Sequence, residues 1–126
     1  MHSASAESVL GTILLVDDDG ESSDAMSECL EIYGYATLQA QNGQVALNLL
    51  KKMAAVPSLI ILDMSMPVLD GRGFLERRFK DPVLLGIPVV VLSGTEAPSC
   101  PLVNIKAYLQ KPVTMNQLMS VIESTL

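Results

Sequence analysis

Four apolar runs in this chain each stop abruptly at polar or charged residues. They are Ile13-Leu14-Leu15-Val16 before Asp17-Asp18-Asp19, Leu59-Ile60-Ile61-Leu62 before Asp63, Val89-Val90-Val91-Leu92 before Ser93-Gly94-Thr95, and Ala107-Tyr108-Leu109-Gln110 before Lys111-Pro112. Short continuous runs of this kind read as strands buried on both faces. They predict strands over residues 12–16, 58–62, 89–92 and 108–110, and residues 35–38 make a further short candidate. Pro88 suits the start of its strand, where a missing N–H is tolerated.

The intervening segments carry helical spacing. Met26, Cys29, Leu30 and Tyr33 recur on one face from about residue 21 to 33, and Gly34 stops that helix. Asn42-Gly43 turns into a second helix with Val45, Ala46, Leu49, Leu50 and Met53 as its inner face, and Pro57 marks the next boundary. A third helix begins near Gly71 or Arg72, carries Phe74 and Leu75 inward, and is disturbed at its end by Asp81-Pro82. Residues 94–106 show no clear period, and Pro98 and Pro101 oppose a long helix there. Thr114 caps a last helix, with Gln117 at the capping-box position and Leu118, Val121 and Ile122 as its apolar face. Met26, Met53, Met115 and Met119 read as core filler.

Strand followed by helix, repeated along the chain, predicts an α/β fold with a parallel sheet covered on both faces. Right-handed crossovers then give a doubly wound sandwich. No internal repeat, linker or second domain is visible. In such a sheet the C-terminal strand ends share one edge, so Asp17, Asp18, Asp63, Ser93 and Lys111 are expected to gather there.

Composition narrows the classes. A chain of 126 residues, 49% apolar and 17% charged, fits one globular domain. No apolar run approaches the roughly 20 residues of a membrane span. Residues 1–10 lack the basic start and apolar core of a signal peptide and read as a flexible polar leader. A net charge of −6 argues against nucleic-acid binding. Arg72, Arg77, Arg78 and Lys80 do cluster, but a solvated helix face is the simpler reading. Cys29 fits a small buried apolar position and Cys100 a loop. They form no metal-binding spacing, and a cytoplasmic location is the expectation.

Each polar strand end alone has a plain explanation, as a solvated turn or a cap for the next element. Together they suit phosphoryl transfer. A carboxylate is repelled by phosphoryl oxygens until a cation intervenes. Mg²⁺ takes oxygen ligands, and Asp17, Asp18 and Asp63 offer a set. Lys111 would supply a mobile positive charge, Ser93 a hydroxyl donor, and Asp63 the attacking oxygen.

These motifs, with Met64-Ser65-Met66-Pro67 and Asp70-Gly71 after Asp63, resemble the receiver domains of two-component response regulators over residues 11–126. The resemblance implies a flavodoxin-like fold, a five-stranded parallel sheet of order 2-1-3-4-5 with five helices. It implies that Asp63 accepts a phosphoryl group from a sensor histidine kinase or phosphotransfer protein. Mg²⁺ would be held by Asp17, Asp18, Asp63 and the backbone carbonyl of Ser65, and Lys111 would contact the phosphoryl group. Ser93 and Tyr108 would form the switch pair. Tyr108 would turn inward as Ser93 moves, changing the face of the fourth helix, fifth strand and fifth helix for a downstream effector protein. Gly94 would keep access open, and Ser65 and Thr95 would flank the site where dephosphorylation is tuned. The interval from Ser93 to Lys111 is short for the family, so its fourth helix is expected to be short or irregular. Asp19 is a third acidic residue, expected to be exposed.

Two other functions compete. A phosphorylation-independent interaction module would keep the fold without needing the complete acidic and lysine set. An aspartate-nucleophile phosphatase needs a second carboxylate two residues after the nucleophile, where this chain has Ser65. No GxxxxGK[ST] loop is present. The expected role is therefore a signalling phosphoacceptor and not an enzyme acting on other substrates, with no direct nucleic-acid or membrane partner.

Overall fold

The computed structural model describes residues 10–66, 68–94 and 103–126. Five strands form one parallel sheet: β1 (Thr12–Val16), β2 (Ala36–Ala40), β3 (Leu59–Asp63), β4 (Val89–Ser93) and β5 (Ile105–Gln110). Their order is β2-β1-β3-β4-β5, as the resemblance implies. The described helices are α1 (Gly20–Ile32), α2 (Gly43–Lys52), α3 (Gly71–Phe79), α4 (Pro82–Leu85) and α5 (Met115–Thr125).

Period-two alternation divides the central strands between two cores. Leu14, Val16, Ile60, Leu62, Val89 and Val91 face Ala46, Leu47 and Leu50 of α2 and Phe74 and Leu75 of α3. Ile13, Leu15, Leu59, Ile61, Val90 and Leu92 face Leu30 of α1 and Leu118, Met119 and Ile122 of α5. Both faces of the sheet are thus covered, which is why β1, β3 and β4 read as unbroken apolar runs.

Several local expectations are corrected. The second strand is Ala36–Ala40 and not residues 35–38, because it pairs along the full length of β1. On α1 the buried positions are Ser23, Ser27 and Leu30, while Tyr33 is 48% exposed and Cys29 half-buried. The Ser27 and Thr37 hydroxyls pair across α1 and β2, which seats a polar stripe of the helix over the sheet. In α2 Leu47 takes the inward place expected for Val45, which is 42% exposed. Asp81-Pro82 does more than end α3. The Asp81 carboxylate accepts from the Val83 and Leu84 amides at 3.0 and 3.4 Å and starts the one-turn α4, with Pro82 in its first turn. Arg78 is 1% exposed and leaves the solvated face expected for it. Of the methionines, Met119 is buried and Met26, Met53 and Met115 are half-buried. The capping box of Thr114 and Gln117 forms as expected.

The leader, apart from Leu10, lies outside the described residues, as do Pro67, Thr95, Pro98, Cys100 and Pro101. The expected short or irregular fourth helix falls on that last stretch, residues 95–102.

Candidate functional site

The parallel sheet brings the C-terminal ends of all its strands to one edge. Asp63 is the last residue of β3, and Ser93 is the last of β4. Asp17 follows β1 directly, its amide donating to the Ala40 carbonyl at 3.0 Å. Lys111 follows β5, its amide donating to the Ser93 carbonyl at 2.7 Å, and the Lys111–Pro112 peptide is cis.

Three carboxylates converge. Asp17, Asp18 and Asp63 each present an oxygen within 4.8 Å of the others. They grade from buried Asp63, through half-buried Asp17, to exposed Asp18. Lys111 Nζ lies 3.0 Å from Asp63 Oδ1, and the Ser65 amide donates to the same oxygen at 3.3 Å. The structure therefore brings Asp17, Asp18, Asp63, Ser65 and Lys111 into one cluster. Ser93 lies on the strand beside β3, 4% exposed, and with Ser65, Met64, Asp70 and Gly94 it lines a cleft of about 430 Å³. Gly94 is exposed, and among the described residues nothing lies within 4 Å of where its side chain would begin. Tyr108 is half-buried on β5, opposite Val91 and packed against the core under α2 and α3. Ser93 stands two residues beyond Val91, so it shares a sheet face with Tyr108 on the neighbouring strand.

The electrostatics follow from this placement. Burial raises the Asp17 carboxyl above its ordinary value. A hydrogen bond from the Asp19 amide and the charge of Lys111 partly oppose that rise, and the Asp63 carboxylate adds to it. Asp19 behaves in the opposite way. It is exposed, as expected, and its carboxyl is held low by the Ser22 hydroxyl and amide. It caps α1, accepting from the amides of Glu21 and Ser22 at 3.1 and 3.3 Å. Its own amide donates to Asp17 Oδ1 at 3.0 Å, so one residue both starts the helix and orients an acid of the cluster.

Two supporting roles escaped the sequence reading. Asp70 caps α3 by accepting from the Gly73 amide at 2.9 Å. A Cβ on Gly71 would lie 2.6 Å from Met64 Cα and 2.9 Å from the Asp63 carbonyl oxygen, so the start of α3 can sit against the site loop only with glycine there. The Asp-Gly pair signals a turn in sequence, but close approach of two backbones does not show there.

Comparison with known proteins agrees with this fold. The family model described as response regulator receiver domain matches residues 13–123. A probable transcriptional regulator ycf27 of Porphyridium aerugineum is 29% identical over 118 residues, covering 90% of this chain and 47% of that protein. The phosphate regulon transcriptional regulatory protein PhoB of Pseudomonas aeruginosa is 29% identical over 119 residues, covering 91% and 51%. The chain thus spans about half the length of these curated relatives. Among solved structures, the signal receiver domain of a signal transduction histidine kinase from Syntrophus aciditrophicus superposes with a TM-score of 0.82 at 29% identity, covering 92% of this chain and 89% of that one. The N-terminal domain of a response regulator receiver protein from Methanoculleus marisnigri JR1 gives 0.72 at 36% identity, covering 93% and 97%.

Proposed function

The chain belongs to the response regulator receiver domain family, and from that membership we propose that Asp63 accepts a phosphoryl group from the phosphohistidine of a sensor histidine kinase or phosphotransfer protein. The observation that carries this reading is the 3.0 Å contact of Lys111 with Asp63, in a cluster where three carboxylates lie within 4.8 Å. Acids so close repel one another, and cations beside them relieve that repulsion.

The donors are all oxygens and one carboxylate is exposed, which fits a hard divalent ion with remaining water ligands. Asp17, Asp18, Asp63 and the Ser65 carbonyl would hold Mg²⁺. Bound there, it would supply the positive charge that offsets repulsion between phosphoryl oxygens and the Asp63 carboxylate. An Asp63 oxygen attacks phosphorus as the phosphorus–nitrogen bond breaks, and the electron pair of that bond returns to the departing imidazole. Lys111 moves with the transferred charge, since its ammonium already lies on Asp63. Ser93 donates its hydroxyl to a phosphoryl oxygen, and Tyr108 turns into the space that Ser93 vacates. The β5 and α5 surface then favours a different effector protein. Water later hydrolyses the acyl phosphate, past Ser65, which releases phosphate and restores the Asp63 carboxylate. We place the domain in the cytoplasm, where a histidine kinase would present its phosphoryl group. Among the described residues no helix is long and apolar enough to cross a membrane.

The test is the intact mass of the chain after incubation with acetyl phosphate, with and without Mg²⁺, for wild type and Asp63→Asn. The expected result is a Mg²⁺-dependent gain of one phosphoryl group in the wild type alone. No gain in folded wild type would overturn the proposal.

A further inference from the structure

Arg78 lies on the buried stripe of α3 with Gly71, Phe74 and Leu75, a place that helical spacing reserves for an apolar residue. Its guanidinium is paired with no carboxylate among the described residues. It donates to backbone carbonyls instead. Nη1 reaches the Val103 oxygen at 2.9 Å, and Nη2 reaches those of Ile87 at 2.8 Å and of Leu85 and Asn104 at 3.3 Å. Leu85 and Ile87 lie just before β4, whereas Val103 and Asn104 lie just before β5. The cation therefore ties the entry of one strand to the entry of the next. Asn104 adds a second tie, its side-chain amide donating to the Leu85 carbonyl at 3.1 Å from a left-handed backbone (φ 57°).

Immediately after this clamp the strand pairing is irregular. Val89 pairs with Ile105, but Val90 pairs with Ala107, so Lys106 is an extra residue in β5. The side-chain directions agree with a bulge. Ile105 packs against the core under α2 and α3, whereas Ala107 packs against the opposite core. Residues two apart on an undisturbed strand share a face. The bulge thus decides which face Tyr108 occupies, and a slip of one residue would exchange it with Leu109. β5 is an edge strand, held on one side by β4 alone, so its own pairing specifies register weakly.

We infer that Arg78 is a positioning residue that holds the bulged register of β5, and through it sets Tyr108 in its core and Lys111 on Asp63. This rests on the phosphoacceptor reading for its consequence at the site, but the register itself is independent of that reading. An apolar residue at position 78 would fill the core stripe and leave those carbonyls without their shared donor.

The test compares wild type, Arg78→Met and Arg78→Lys with two kinds of readout. Cross-strand NMR contacts between Val91 and Tyr108, with amide exchange along β5, report register directly. Mg²⁺ titration reports the carboxylates after β1 and β3, while binding of beryllofluoride, a phosphoryl mimic, also needs Lys111. In folded Arg78→Met the Val91–Tyr108 contacts are expected to weaken and β5 amides to exchange faster. Mg²⁺ affinity should be unchanged and beryllofluoride affinity should fall about tenfold or more. Arg78→Lys should lie between the two, since one ammonium reaches fewer carbonyls than the planar guanidinium. If Arg78→Met does not fold, the same comparison is made on Arg78→Lys. Unchanged register, or equal losses for both ligands, would overturn the inference. Wild type that binds no beryllofluoride would overturn the phosphoacceptor reading, and the NMR contacts would still decide the role of Arg78.

Discussion

Lys111 extends back over the sheet edge to put its ammonium 3.0 Å from Asp63 Oδ1, joining a side chain that is 43% exposed to one that is 4% exposed. The pair is wet on one side and buried on the other. Loss of the lysine would leave the Asp63 carboxylate buried beside Asp17 with no fixed countercharge among the described residues.

Lys111→Ala is therefore expected to destabilise the metal-free protein by about 1–2 kcal/mol, below the 3–5 typical of a fully buried broken pair. Urea denaturation in EDTA measures this. Mg²⁺ should bind the variant at least as tightly as wild type, because a competing positive charge is gone. If Asp63 is phosphorylated as proposed, the chemical-shift changes expected at Tyr108 in wild type should be lost in the variant. Weaker Mg²⁺ binding would show that Lys111 also shapes the carboxylate cluster.

Asp17 gives a pH signature. Its folded-state carboxyl is raised, so the folded protein holds this proton more tightly than the unfolded chain. Stability from this group is therefore lost as pH rises from its unfolded value through the raised folded value, and it stays lost above. In EDTA at neutral pH, Asp17→Asn should have the higher Tm. The advantage should shrink toward about pH 3, below the ordinary aspartate value of about 3.9. A Tm difference independent of pH would contradict the assignment.

Asp19, two residues on, should show the reverse. Its folded-state carboxyl is lowered, so its contribution is present above the unfolded value and is lost as pH falls through the lower folded one. Asp19→Ala should lower Tm at neutral pH, and the deficit should vanish in acid. Asp19→Asn should retain most of the cap. Circular-dichroism melts across pH would separate the two residues by the sign of their slopes.

Val68 sits in the loop after Asp63 with φ 68° and 83% of its surface exposed. A β-branched residue in the left-handed region carries strain, and this one gains little burial in return. Val68→Gly should raise stability by roughly 0.5–1 kcal/mol, and Val68→Asn by a similar amount. A loss in chemical denaturation would mean that the valine side chain makes contacts that outweigh the strain.

The order of the strands and of the four longer described helices was legible in the sequence because it depends on local periodicity. An apolar run such as Val89-Val90-Val91-Leu92 must be buried on both faces wherever it goes, and Asp63 or Ser93 must then stand at its end. Parallel topology carries those ends to one edge, so Asp17, Asp18, Asp63, Ser93 and Lys111 could be grouped before any distance was known.

What the sequence alone could not determine was rotation and register. Ser23 and Ser27 turn inward on α1, where apolar spacing favoured Cys29 and Tyr33, because the Asp19 cap and the Ser27–Thr37 contact set the roll of that helix. Arg78 looked like part of a solvated face because its acceptors are backbone carbonyls, which every residue has. The bulge at Lys106 left no mark in a strand of mixed composition, yet it decides which face Tyr108 takes. Local chemistry states what a segment can form. Only packing against the rest of the chain selects which side it shows, because that choice depends on partners far away in sequence.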